Sequence, residues 1–285
     1  MQKFIKKYLE KIALPFFVIG IFLFLVNITG LLIPLKNPDI YKEKTSFKDD
    51  ITLSAKEALS IINQPTANTE QYVRNVTYAI NKGILHYWGG KNDKKYNVIL
   101  PFYENYILFI LTHTLFRQSA LKYEFCNYKK TIARGVGWCS QESTALADLL
   151  NKKHIPTNII SWPQHVVTEI QITNNKRWVV DPDYGVIIEH SINDIAKDPS
   201  ILIPVYKHAG YSNKEIKRLM TIFNSSNINQ RTIYKHNGPG YANCNGIRKL
   251  IEDLSYIFIW IIPTFLIVPF TWINLKKKYV KKQSK

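Results

Sequence analysis

The sequence predicts an α+β domain held between two transmembrane helices, and three observations predict it. Residues 12–35 and 254–275 contain no charged side chain, and each run exceeds the roughly 20 apolar residues that cross a bilayer core. Between them, helix-like patterns fill the chain as far as residue 150. Beyond that point "TNIISW", "HVVTEIQI" and "RWVVD" change to the β-branched, alternating pattern of strands. Helices followed by antiparallel strands are the order of an α+β fold. A hydrophobic content of 46% is enough for a substantial core and argues against a disordered chain.

The two apolar runs are compatible with membrane spans despite Pro15, Pro34, Pro263 and Pro269, because spanning helices tolerate proline near their ends and at kinks. The first is longer than the 7–15-residue core of a signal peptide, and bulky "LLIPLKNPD" follows it, so an uncleaved anchor is expected. Lys3, Lys6, Lys7 and Lys11 precede the first run, and Lys276, Lys277, Lys278, Lys281, Lys282 and Lys285 follow the second. Lysines collect on the cytoplasmic side of spans, so both termini are expected there and the intervening domain outside the cytoplasm. The tails account for nine of the formal net charge of +17. The remainder is a mild bias that suits an anionic envelope surface or merely solvated lysines. Nucleic acid is a poor partner for an exported domain.

The expected organisation is a tail (1–11), a span (12–35), a linker with a short helix (36–67), a catalytic domain (68–205), an extension or long loop (206–253), a second span (254–275) and a second tail (276–285). "SAKEALSIINQ" reads as the short helix, stopped by Pro65. Asn68 or Thr69 caps the next helix, which Gly83 ends. The apolar run from Tyr106 to Phe116 is too short to span and reads as a buried helix. Asn, Gly and Ser over 224–245 suggest a long loop.

Chemistry centres on "GVGWCSQESTALADLL". Cys139, one of three cysteines, opens a helix there, so the positive end of the helix dipole lies beside its sulfur and favours an anionic nucleophile. Ala145, Leu146, Leu149 and Leu150 would bury one side of that helix and fix the sulfur's direction. A thiolate needs a proton carrier, and His165 at the head of a strand is the candidate. The imidazole needs an orienting acceptor, and Asp181 ends the next strand. A two-residue turn at Asn174-Asn175 alone would point Asp181 away from His165; a three-residue loop or one bulge would set it diagonal. In that register Asp183 lies straight across from His165 and is the rival acid.

"GVGWCSQ", "QHVVTEI" and "WVVDPDYGV", in this order and spacing, resemble the bacterial transglutaminase-like superfamily over about residues 68–200. The resemblance implies a papain-like core with Cys139 as nucleophile, His165 as general base and acid, and Asp181 as its orienting partner. It also implies peptidase, amide-hydrolase or acyltransferase chemistry. His154 departs from the pattern, standing where this superfamily usually has glycine after the helix. The calcium that eukaryotic members use has no acidic cluster here, and neither a cofactor nor a metal is expected.

Gln141 and Gln164 are candidate amide donors to an oxyanion, beside the Cys139 backbone N–H. Trp162 and Trp178 would shield the site or simply fill the core. His86, His113, His190, His208 and His236 have no partner motif and are expected to be structural or exposed. If Cys139 stays free, Cys126 and Cys244 are the remaining pair for a disulfide, with two buried free thiols as the alternative. The function expected is a membrane-anchored thiol enzyme acting on a protein, peptide or amide-bearing surface polymer. The alternative is a non-catalytic scaffold or binding module in envelope or surface-polysaccharide assembly.

Overall fold

The computed structural model describes residues 2–43, 51–87, 90–114, 122–224, 230–235, 244 and 246–283. Residues 44–50 of the expected linker, the end of the apolar run (115 and 116), most of the expected loop at 224–245, and His236 lie outside these. In chain order the first elements are α1 (Gln2–Leu32), α2 (Ala55–Ile62), α3 (Thr69–Gly83), β1 (Leu85–His86) and α4 (Tyr106–Thr114). Then come α5 (Tyr128–Arg134), β2 (Val136–Gly137), α6 (Cys139–Lys152), β3 (Thr157–Trp162), β4 (His165–Thr173) and β5 (Lys176–Asp181). The last are β6 (Val186–Ile188), α7 (Ile192–Lys197), α8 (Leu202–His208), α9 (Asn213–Phe223), β7 (Thr232–Lys235) and α10 (Gly246–Gln283). These elements form two units, one from the described residues within 1–34, 100–121 and 250–285, the other from those within 35–99 and 122–249.

The first unit contains α1, α4 and α10 from Leu250 onward. Lys11–Leu32 and Gly246–Lys277 are helices long and apolar enough to cross a membrane. Phe22, Leu25, Phe265 and Trp272 are exposed along them, as suits a lipid-facing surface. Pro263 has no N–H to give Ile259 its intrahelical hydrogen bond, so that carbonyl must find another donor. It receives two: the buried Asn27 amide from α1, and the Tyr106 hydroxyl from α4 at 3.1 Å. Gly20 permits the close approach, since a Cβ there would stand 2.9 Å from the Pro263 carbonyl oxygen. The Tyr106 helix thus belongs with the two long helices and not with the unit expected to hold the catalytic residues. Asn105 and Glu104 fasten it further, to the Ser255 hydroxyl at 2.8 Å and the Tyr256 hydroxyl at 2.7 Å.

The second unit is mixed helix and sheet. Local rules account for its start: Ser54 and Glu57 form a reciprocal cap on α2, and Asn68 caps α3 through the Gln71 N–H at 2.9 Å. Five antiparallel strands follow in the order β6-β5-β4-β3-β7. Ile170, Ile172, Trp178 and Val180 pack against α2, α3, α5 and α6. Ile160, Val167 and Val179 pack against the residues of α7, α8 and α9. Helices therefore cover the sheet on both faces, which is why residues 165–170 of β4 are buried without alternation. The 206–253 segment is not an appendage: Tyr206, Ile216, Leu219 and Phe223 are core residues, and β7 pairs with β3. Cys126 and Cys244 are joined as a disulfide, and Cys139 is free.

Candidate functional site

Each member of the site is held by an element whose local sequence explains its position. Gly135 takes a left-handed backbone at φ 67°, turning the chain out of α5 into β2, whose Gly137 pairs with His86. Two residues later Cys139 is the first residue of α6, after Trp138 as an N-cap that supplies no side-chain hydrogen bond. The first turn of α6 thus lacks a side-chain cap from Trp138, beside a buried sulfur. The expected face is buried, with Ala145, Leu146, Leu149 and Leu150 all in the core. At the other end His154 has φ 56°, the left-handed conformation for which glycine is the usual choice.

The strand register decides which carboxylate meets His165. Thr173 pairs with Lys176 across a two-residue turn, and a bulge between Gln171 and Thr173 shifts every later pair by one. Thr168 therefore opposes Val180, which sets Asp181 diagonal to His165. The His165 Nε2 and Asp181 Oδ2 lie 2.7 Å apart, both fully buried. That bond leaves Nδ1 as the nitrogen available to Cys139, whose sulfur interacts with the ring. Burial alone would depress the imidazole. The Asp181 carboxylate and its hydrogen bond, helped by Cys139, outweigh it and raise His165 well above the ordinary histidine range.

Asp181 is itself supported. Its Oδ2 also accepts the Tyr206 hydroxyl at 2.6 Å, and Oδ1 accepts the Tyr184 backbone N–H at 3.3 Å. Burial and the neighbouring carboxylate keep the Tyr206 phenol protonated, well above its usual range. The Tyr184 ring meets His165 edge-on at 5.4 Å, and Phe223 stands 6.3 Å away. The site is buried and aromatic on this side. Neither Tyr206 nor Phe223 carried any signal in the sequence, because both lie in the segment read as an extension.

Asp183 does not orient His165; its Oδ1 meets His86 Nδ1 in a short, buried contact. It remains close to Cys139, since Cys139 Sγ, a His165 nitrogen and an Asp183 oxygen lie within 4.8 Å of one another. His86, Glu142 and Asp183 form a second such group. His86 was expected to be merely structural or exposed, and Glu142 passed unnoticed; both are buried beside the site. The β1–β2 pairing, at two residues per strand, brings His86 there, and so short a pairing leaves no pattern in sequence.

The oxyanion candidates fare differently. Both hydrogens of the Gln141 amide are committed, to the Phe125 carbonyl at 2.9 Å and the Thr131 hydroxyl at 3.1 Å. Its oxygen accepts from the Phe125 N–H and from Arg134. Gln141 therefore ties α6 to the 125–134 segment and has no side-chain N–H left for substrate. Gln164 is exposed in the two-residue turn between β3 and β4. Trp162 pairs with His165 across that turn and is buried, with an indole N–H that finds no partner among the described residues. Trp178 lies in the opposite core under Arg74 and Lys176. His113 bonds within α4, while His190 and His208 are exposed.

Cys139, His165 and Asp181 together can form a thiolate–imidazolium pair oriented by a carboxylate, an arrangement suited to nucleophilic attack on a carbonyl. Comparison of the chain with protein-family models, with curated proteins and with solved structures finds no match to any of them.

Proposed function

We propose that the protein is a membrane-anchored thiol enzyme of transglutaminase-like type, with a papain-like catalytic unit outside the cytoplasm and both lysine-rich tails within it. The observation that carries this reading is the buried His165, placed between the free Cys139 and an Asp181 carboxylate 2.7 Å from its Nε2. In the reaction the Cys139 sulfur attacks an amide or ester carbonyl. The oxyanion forms against the first-turn N–H groups of α6, and His165 hands its proton to the departing amine or alcohol. The thioester is then resolved by water or an amine, whose proton His165 takes up. Asp181 holds the imidazole in the one orientation that serves both steps. The substrate class is a peptide, protein or amide-bearing polymer of the cell envelope. A scaffold that merely retains the fold is the second reading. A buried histidine with its acceptor in place beside a free thiol favours the enzyme.

The test is acyl-enzyme formation by the full chain in detergent, with chelator present and p-nitrophenyl acetate as acyl donor. Peptide mass spectrometry is expected to find the acetyl group on Cys139, with no such product in the His165→Ala variant. Acetylation that is unchanged in His165→Ala, or absent from Cys139 in the folded protein, would decide for the scaffold.

A further inference from the structure

We infer that Cys139, His165 and Asp183 form a binding site for a soft divalent cation of the zinc type, whose occupancy blocks the nucleophile. The three side chains come from the start of α6, the start of β4 and the turn after β5, and all three are buried. One potential ligand atom from each lies within 4.8 Å of the other two. A thiolate, an imidazole nitrogen and a carboxylate oxygen make a donor set that zinc favours over magnesium or calcium. With metal–ligand bonds of about 2.0–2.3 Å, closing on one ion asks the side chains to move by about 1 Å.

Two further observations point to a ligand. A metal-bound histidine ordinarily has its second nitrogen held by a carboxylate, and His165 Nε2 is held by Asp181. Asp183 is arranged likewise: Oδ1 is taken by His86, whereas the buried Oδ2 has no hydrogen-bond partner among the described residues. A buried carboxylate oxygen left in this way calls for a donor or a cation. The donor set supplies three ligands, leaving the fourth tetrahedral position to water or a substrate group. Binding displaces the one proton that the Cys139 sulfur and the free His165 nitrogen share, which passes to solvent, and no electron is transferred. The inference depends on the geometry of the three side chains and not on the enzyme reading.

The test uses cobalt(II) as a spectroscopic stand-in and zinc(II) as competitor, with the full chain in detergent and no substrate. A thiolate-to-cobalt charge-transfer band, bleached by zinc, is expected for the native chain. Cys139→Ser should abolish the band, and Asp183→Asn should weaken binding by at least tenfold. In the unsubstituted protein, zinc should protect Cys139 from iodoacetamide, a readout that needs no variant to fold. Cobalt binding without that band, lost in His86→Ala but kept in Cys139→Ser, would assign the ion to His86, Glu142 and Asp183 and overturn the site. Absence of both band and protection would overturn it as well. Since acetylation of Cys139 is measured under chelator, either idea can fail while the other stands.

Discussion

Breaking the Cys126–Cys244 disulfide should lower the stability of the mixed helix-and-sheet unit by a predictable amount. The two cysteines are 118 residues apart in sequence, with Cα atoms at 5.4 Å. On the chain-entropy model a closed loop of that length restrains the unfolded chain by about 4–5 kcal/mol. The surrounding contacts offset little of this. Arg248 donates to the Glu124 carbonyl at 3.1 Å, and Lys249 reaches Asp148 at 3.1 Å, but both are part-buried and the latter is a partly solvated ion pair. For a unit of 150–250 residues about 2–4 °C accompanies each kcal/mol, so the midpoint should fall by about 8–20 °C. Tryptophan fluorescence on heating the full chain in detergent, at one scan rate with and without reductant, measures it. The Cys126→Ser/Cys244→Ser double variant should match the reduced protein. A fall of less than about 3 °C in both would refute the loop-entropy reasoning. Labelling of Cys126 by iodoacetamide without reductant would refute the bridge itself.

Three other outcomes follow from the site. Asp181→Asn should lower the rate of Cys139 acylation by up to about 10⁴ by analogy with serine enzymes, with the fold retained by near-ultraviolet circular dichroism. A larger loss in Asp183→Asn under chelator would mean the orienting acid is misassigned. Because His165 is raised above its ordinary value of 6.5, its imidazolium persists at neutral pH and is lost only as pH climbs through the higher value. The alkaline limb of acylation should therefore move to lower pH in Asp181→Asn, where burial is no longer outweighed; an unmoved limb would show that another group sets it. Tyr206→Phe removes a 2.6 Å hydrogen bond to a buried carboxylate and should cost about 1.5–3 kcal/mol in unfolding measurements, and no change would show that the bond contributes nothing net.

By itself the sequence determined what depends on neighbours along the chain. Charge-free runs of spanning length, the Ser54 and Asn68 caps, the helix beginning at Cys139 and the β-branched composition of β4 and β5 are all properties of a few consecutive residues. The partnership of His165 with Asp181 was legible because only a short hairpin separates them; even so, one bulge decided between Asp181 and Asp183. The pairing of Cys126 with Cys244 was reached by elimination among three cysteines. Tertiary structure decided the rest. Gln141 spends its amide on the 125–134 segment, which no local pattern foretells. The Tyr106 helix joins the long helices, where its hydroxyl meets the Ile259 carbonyl that a proline far along the chain frees. Tyr206 and Phe223 close over the site from a segment read as loop. His86 reaches Asp183 across 97 residues through two-residue strands. Periodicity reports which face of an element is buried, whereas the identity of what lies against that face depends on how separate elements pack, and packing is recorded only in three dimensions.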